Sequence, residues 1–116
     1  SWEAEWGRAA ARLLLNDGAA FDAVICQNDV LARGCIEELE RSGCRVPQDV
    51  AVIGHDNSPD YVSYAHPLLT SIDDNNEMLG RQAALCLLDA IAGHPHHGVE
   101  RVPVKLIQRE STLPLD

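Results

Sequence analysis

Two apolar runs, Ala23-Val24-Ile25-Cys26 and Val50-Ala51-Val52-Ile53, do not alternate with polar residues, and each stops abruptly. The first stops at Gln27-Asn28-Asp29, and the second, after Gly54, at His55-Asp56-Asn57. A strand with only one buried face alternates; an unbroken apolar run predicts burial on both faces, as in a parallel sheet covered by helices. In open α/β sheets, ligands bind beyond the carboxyl ends of the strands. The two runs therefore predict a crevice in which side-chain amides and carboxylates meet a small polar molecule.

The rest of the chain fits that frame. Trp6, Ala9, Ala10, Leu13 and Leu14 recur at helical spacing and predict an amphipathic helix ending near Asn16-Asp17-Gly18. Phe21 to Gln27 reads as the first strand. Asp29 is a natural N-cap for a second helix with Ala32, Cys35, Ile36 and Leu39 on its inner face, closed at Ser42-Gly43. Gly34 inside this helix costs about 1 kcal/mol relative to Ala; close approach of a neighbouring element would rationalise it. Val50 to Gly54 is the second strand. Asn57-Ser58-Pro59 reads as a cap with Pro in the first turn of a short helix. Leu68 to Ile72 is the third strand, and a long helix follows over roughly 77–92, stopped by Gly93 and Pro95. Val102, Val104 and Leu106 alternate with Arg101, Pro103 and Lys105, a half-exposed strand that Pro103 places at an edge or bulge. The tail from Arg109 reads as polar and extended. Strands alternating with helices predict an α/β layer, a three-layer parallel sheet with flanking helices.

Composition excludes several functions. The formal net charge is −9, a surface that repels phosphate backbones, so the chain alone is not expected to bind nucleic acid. No apolar run approaches the roughly 20 residues that cross a bilayer. No signal peptide is recognisable, and Ser1 falls inside what already reads as structure, so the chain is expected to be a piece of something longer. Cys26, Cys35, Cys44 and Cys86 form no C-x-x-C pair; core packing in a reducing compartment is the reading, not disulfides or zinc.

No G-x-G-x-x-G and no P-loop is present, which argues against a nucleotide enzyme. His94, His96 and His97 cluster in HPHHG, but flanking Gly and Pro predict a solvated loop rather than a fixed metal site. His55 and Asp56 could form half of a catalytic dyad with Ser58, Ser71 or Cys26, yet none of these sits in a G-x-S-x-G elbow, so binding or structural roles are favoured. Asn28 and Asp56 lie at strand ends on the crevice side, where binding and loop capping are equally open. Asp73 and Asp74 extend that polar rim or cap the long helix. Trp2 and Trp6 share a helix face; such a face is usually core, but an aromatic at a helix entrance also stacks on sugar rings.

Taken in order, QNDVLARGCIEELERSGCRVPQDVAVIGHDNSPDYVSYAHPLLTSID resembles a stretch of LacI/GalR-type regulators that runs N-D-x-x-A-x-G, G-x-x-V-P-x-D-V-x-V-x-G-x-D and P-x-L-T-T. The opening W-E-A-E-W-G and the closing QREST are similar as well, so the likeness runs from about Trp2 to Leu113. It implies a periplasmic-binding-protein-like type I fold, two α/β lobes with an effector between them. Residues 1–116 would be most of the C-terminal lobe, with the DNA-binding head and the first lobe outside the chain. The resemblance implies effector contacts from Asn28 and Asp56. It implies a packing aromatic at Trp2, and Asp74 stands where a Gln often touches ligand. Ser71 replaces a common Thr, and Arg33 stands where an apolar residue often lies near a dimer contact. It also implies that the long helix packs on the absent lobe, so another chain is expected to cover it here.

The function expected is effector sensing, of a sugar or related polar molecule, within a cytoplasmic, dimeric DNA-binding regulator. No enzymatic activity, cofactor or metal is expected. The alternatives are a solute-binding protein of the same fold serving a transporter, or an α/β enzyme using His55 and Asp56.

Overall fold

The structure is a computed structural model that describes residues 2–113, with side chains described from Glu3. Its elements are α1 (Trp2–Asn16), β1 (Ala23–Ile25), α2 (Asp29–Arg41), β2 (Ala51–His55), α3 (Pro59–Val62), β3 (Thr70–Asp73), α4 (Asn76–Ile91) and β4 (Lys105–Ile107). They build one open sheet in the order β1-β2-β3-β4. β1, β2 and β3 are parallel neighbours, as expected, and β4 returns antiparallel to β3.

α2 covers one face of this sheet. Ala32, Cys35, Ile36 and Leu39, the predicted inner stripe, are all buried, against Val50, Val52 and Leu69. Gly43, at φ +90°, ends the helix, and Cys44 N–H returns to Leu39 O at 2.9 Å. The left-handed turn needs a residue without a Cβ penalty.

α1 packs on α2, but not through the predicted stripe. Trp6 and Leu13 are exposed, at 62% and 71%; the buried positions are Gly7 and Ala11. The contact is made by the smallest residues because the backbones nearly touch. A Cβ on Gly34 would lie 1.9 Å from Ala4 O, and one on Gly7 2.2 Å from Leu31 O. Close approach is thus the reason for Gly34.

The opposite face of the sheet is open among the described residues. Paired positions Ile25 and Ile53, and Ile72 and Leu106, share that face; Ile25 and Leu106 are exposed, and Ile53 and Ile72 are half-buried. The expectation of two buried faces and three layers is met on the α2 side only. The apolar run of β1 supplies a face that no helix among the described residues covers.

α4 also stands alone, with Leu79, Leu85, Leu87, Leu88 and Ile91 exposed. It does not fold back on its own sheet. The molecule extends 60 × 33 × 26 Å with a radius of gyration of 18.0 Å, against about 13 Å for a compact chain of this length.

The predicted polar tail is part of the core. Ser111 is fully buried. Its Oγ donates to Val52 O at 2.7 Å and accepts from Thr70 N–H at 2.8 Å, and its carbonyl accepts from Val52 N–H at 2.8 Å. Arg109 donates from its guanidinium to Leu69 O and to Asn57 Oδ1, at 2.8 and 2.7 Å.

Candidate functional site

The carboxyl ends of β1, β2 and β3 lie side by side, and the polar residues after each strand define the site. The turn after β2 is built from inside by Asp29, which is 1% exposed. Its Oδ2 accepts from Ser58 N–H at 2.7 Å, and its Oδ1 accepts from Ser71 Oγ at 2.6 Å. A Cβ on Gly54 would come within 2.2 Å of Asp29 Oδ1, so glycine is required for this approach. Asp29 is therefore not the predicted N-cap. Asn28 is: its Oδ1 accepts from Leu31 N–H at 2.8 Å. Of Asn57 and Ser58, Ser58 is the residue that precedes α3, and Asn75 precedes α4.

Held by that anchor, Asp56 and Asn57 adopt positive φ, 99° and 52°. Such conformations in non-glycine residues are costly and collect at functional sites. The strained turn leaves the Asp56 carboxylate exposed. His55 lies between two acids: Nδ1 is 3.2 Å from Asp56 Oδ1 and Nε2 is 3.1 Å from Asp74 Oδ1. His55, Asp56 and Asp74 bring ligand atoms within 4.8 Å of one another, a donor set that also fits a divalent cation.

Behind this group, Asn57 donates from Nδ2 to Asp73 Oδ2 at 3.0 Å while its N–H donates to Ser71 Oγ at 3.0 Å. Asp73 Oδ1 accepts Asn75 N–H at 2.8 Å. That backbone donor, then the Asn57 amide, holds the Asp73 carboxyl below the usual range, with Lys105 and Arg109 adding to the effect. Asp73 thus braces the rim, and Asp74 meets the His55 ring.

On the β1 side, Asn28 borders a hollow of about 300 Å3 with Glu3, Trp6 and Leu31. Asn28 Oδ1 accepts the cap hydrogen bond from Leu31 N–H, and its side-chain amide also carries two donor hydrogens. Trp6, expected in the core, is the aromatic beside it. The predicted contact by Trp2 concerns a side chain outside the described residues. A larger hollow of about 700 Å3, lined in part by Val46, His66 and Glu110, lies at the amino ends of the strands. Crevice chemistry in open α/β sheets belongs to the other end.

The sequence missed Asp29 as an anchor and the inward course of Arg33. Arg33 is 3% exposed and turns inward, donating to the carbonyl oxygens of Tyr61, Val62 and Pro67. Its guanidinium lies 5.3 Å from the Tyr64 ring. Burial lowers its pKa, opposed by the fields of Tyr64 and Asp29. A buried cation in this helix was detectable only as a departure from an apolar pattern. Three cysteines line the core, Cys35 within it and Cys26 and Cys44 against it, and all four are free thiols. Cys86 lies apart, on α4.

Polar groups at the carboxyl ends of parallel strands, with an aromatic beside them, define an open α/β lobe of the ligand-binding kind. The family model for a periplasmic binding protein-like domain matches residues 2–112. The chain belongs to that family, and its likeness to LacI-type regulators, read from the motifs, is borne out. The transcriptional regulator CelR of Thermobifida fusca is 39% identical over 106 residues, 90% of this chain and 31% of that protein. A LacI-type transcription regulator from Bifidobacterium animalis subsp. lactis has a crystal structure with a TM-score of 0.79 at 38% identity, covering 96% of this chain and 40% of that one. The structure of a CelR–cellobiose complex matches with a TM-score of 0.81 at 38% identity, covering 93% of this chain and 33% of that one. The chain spans about a third of the length of its relative CelR. These relatives are transcriptional regulators. No helix among the described residues is long and apolar enough to cross a membrane.

Proposed function

We propose that this chain is the C-terminal lobe of the effector-binding domain of a LacI-type transcriptional regulator, and that its effector is a carbohydrate or a related polyhydroxylated molecule. The observation that carries the reading is the strained, exposed Asp56 carboxylate at the carboxyl end of β2, beside the strand β1 after which Asn28 follows, with Asn28 and the exposed Trp6 lining one hollow. A sugar hydroxyl donates to a carboxylate and accepts from an amide, and its ring stacks on an aromatic face. The cellobiose bound by the relative CelR supports the class of ligand. Asp74 and Trp2 belong to the same proposed contact set. The opposing wall of the crevice and the DNA-binding head lie outside this chain in the reading, and the whole regulator works in the cytoplasm as a homodimer, without enzymatic activity. Effector binding shifts lobe closure, and the shift reaches DNA through the distant head.

The test uses the regulator carrying both lobes. Calorimetry against a panel of mono- and disaccharides should find one binder. Asp56→Ala should then weaken binding roughly ten- to hundredfold, the cost of one hydrogen bond to a buried polar group. Asn28→Ser keeps an N-cap but removes the side-chain amide, and should weaken binding by a similar factor. Equal affinity in both variants removes these residues from the site; a panel without a binder overturns the ligand class.

A further inference from the structure

A second cluster of chemistry-bearing side chains lies on the arm formed by α4 and the segment that returns from it. Cys86 and Asp89 are three residues apart on α4 and share a face. His96 and Glu100 come from the return segment. Glu100 stands between thiol and ring: its Oε2 is 3.7 Å from Cys86 Sγ and its Oε1 is 3.1 Å from His96 Nδ1. The ligand atoms of Cys86, His96 and Glu100 all lie within 4.8 Å of one another. The far side of the ring is also held, with His96 Nε2 2.6 Å from Asp89 Oδ2.

We propose that Cys86, His96 and Glu100 bind a transition-metal cation of the zinc and cobalt class, with Asp89 as the outer carboxylate that orients His96. Sulfur, imidazole nitrogen and carboxylate oxygen together are the donor set for such a metal rather than for calcium or magnesium. Metal–ligand bonds of about 2.0–2.3 Å put tetrahedral ligands about 3.3–3.8 Å apart. The carboxylate of Glu100 already lies near that spacing from both the thiol, through Oε2, and the ring, through Oε1, and one donor atom from each residue falls within 4.8 Å of the others. An imidazole that ligates through one nitrogen usually donates the other N–H to a carboxylate; Asp89 supplies it on Nε2, leaving Nδ1 for the metal. On binding, the Cys86 thiol gives its proton to solvent, and His96 keeps only the Nε2 proton that faces Asp89. Three protein ligands leave a fourth position for water. His94 and His97, the other histidines of the loop, take no part. The bound ion ties the return segment to the last turns of α4. This site is independent of the effector reading.

Titration of the full chain with cobalt(II), followed by zinc displacement, tests the site. One ion per chain should bind with micromolar or better affinity and give a thiolate-to-cobalt charge-transfer band. Cys86→Ser should abolish that band, and His96→Ala should weaken binding at least tenfold. Asp89→Asn should cost roughly ten- to hundredfold, the usual effect of an outer-sphere partner. The double variant His94→Asn, His97→Asn should bind as the parent does, with circular dichroism recorded on every variant. Absence of binding at micromolar metal overturns the proposal. So does a charge-transfer band that survives Cys86→Ser, or affinity that follows His94 and His97 instead of His96.

Discussion

Replacing Gly34 by Ala tests the packing of α1 on α2 most directly, because two opposing effects have calculable sizes. On helix propensity alone the substitution stabilises by about 1 kcal/mol. In place, the new methyl carbon lies 1.9 Å from Ala4 O and 2.8 Å from Ala4 C. Both are backbone atoms, so no side-chain rotation relieves the clash, and the helices must part by more than 1 Å. Overpacking typically costs about 1–3 kcal/mol, and relief by moving a whole helix belongs at or above the top of that range. The net expectation is destabilisation of about 2 kcal/mol. Gly7→Ala, 2.2 Å from Leu31 O, should act in the same direction. One separation of the helices relieves both clashes, so the double variant should cost less than the sum of the singles. Urea unfolding followed by circular dichroism measures this. The midpoint for Gly34→Ala should fall by about 1 M with the slope unchanged. A Gly34→Ala variant as stable as the parent or more so would show that the helices do not approach as described, and strict additivity would show that the two clashes are separate.

Asp29→Ala strands the buried Ser71 hydroxyl and the Ser58 N–H, and should destabilise by about 2–4 kcal/mol; Asp29→Asn, which keeps one acceptor, should cost less, both read from thermal or urea unfolding. Arg33→Met leaves the carbonyls of Tyr61 and Val62, at the end of α3, and of Pro67 without this donor and should cost about 2–4 kcal/mol. Its partners carry no net charge, so the loss should be the same at low and high salt, and a salt-dependent loss would point to an ion pair instead. Asp49 is held at about 2, against an ordinary 3.8, by the Arg45 side chain and the Arg45 N–H. Its folded-state pKa is depressed, so its contribution to stability is complete above its ordinary value and disappears as pH falls towards 2; carboxyl NMR titration, with Asp49→Asn as control, reads the midpoint. The exposed apolar face of α4 should bring two copies of the chain together, and sedimentation at micromolar concentration should show a dimer; a well-behaved monomer refutes this.

Periodic features were legible. The inner stripe of α2 was readable because Ala32, Cys35, Ile36 and Leu39 repeat at helical spacing, and the three parallel strands because their apolar runs end in polar residues. The face of α1 was misread because apolar weight is counted by large side chains, and this interface is made by Gly7 and Ala11. The placement of Asn28 and Asp56 after strands was legible, but the roles of Asp29, Arg33 and Ser111 were not. Each depends on partners tens of residues away, which leave no local pattern. The outer face of β1 illustrates the converse: its apolar run predicts burial, yet Ile25 is exposed among the described residues.

The placement of Ser111 has a consequence for how the molecule is made. Its hydroxyl and carbonyl close hydrogen bonds to Val52, 59 residues earlier. During synthesis β1, α2 and β2 emerge long before the residue that completes the centre of their sheet. Until the ribosome has delivered it, Val52 and Thr70 have open backbone groups at the position Ser111 will occupy. The native hydrogen bonding at the centre of this sheet is complete only once Ser111 has been added.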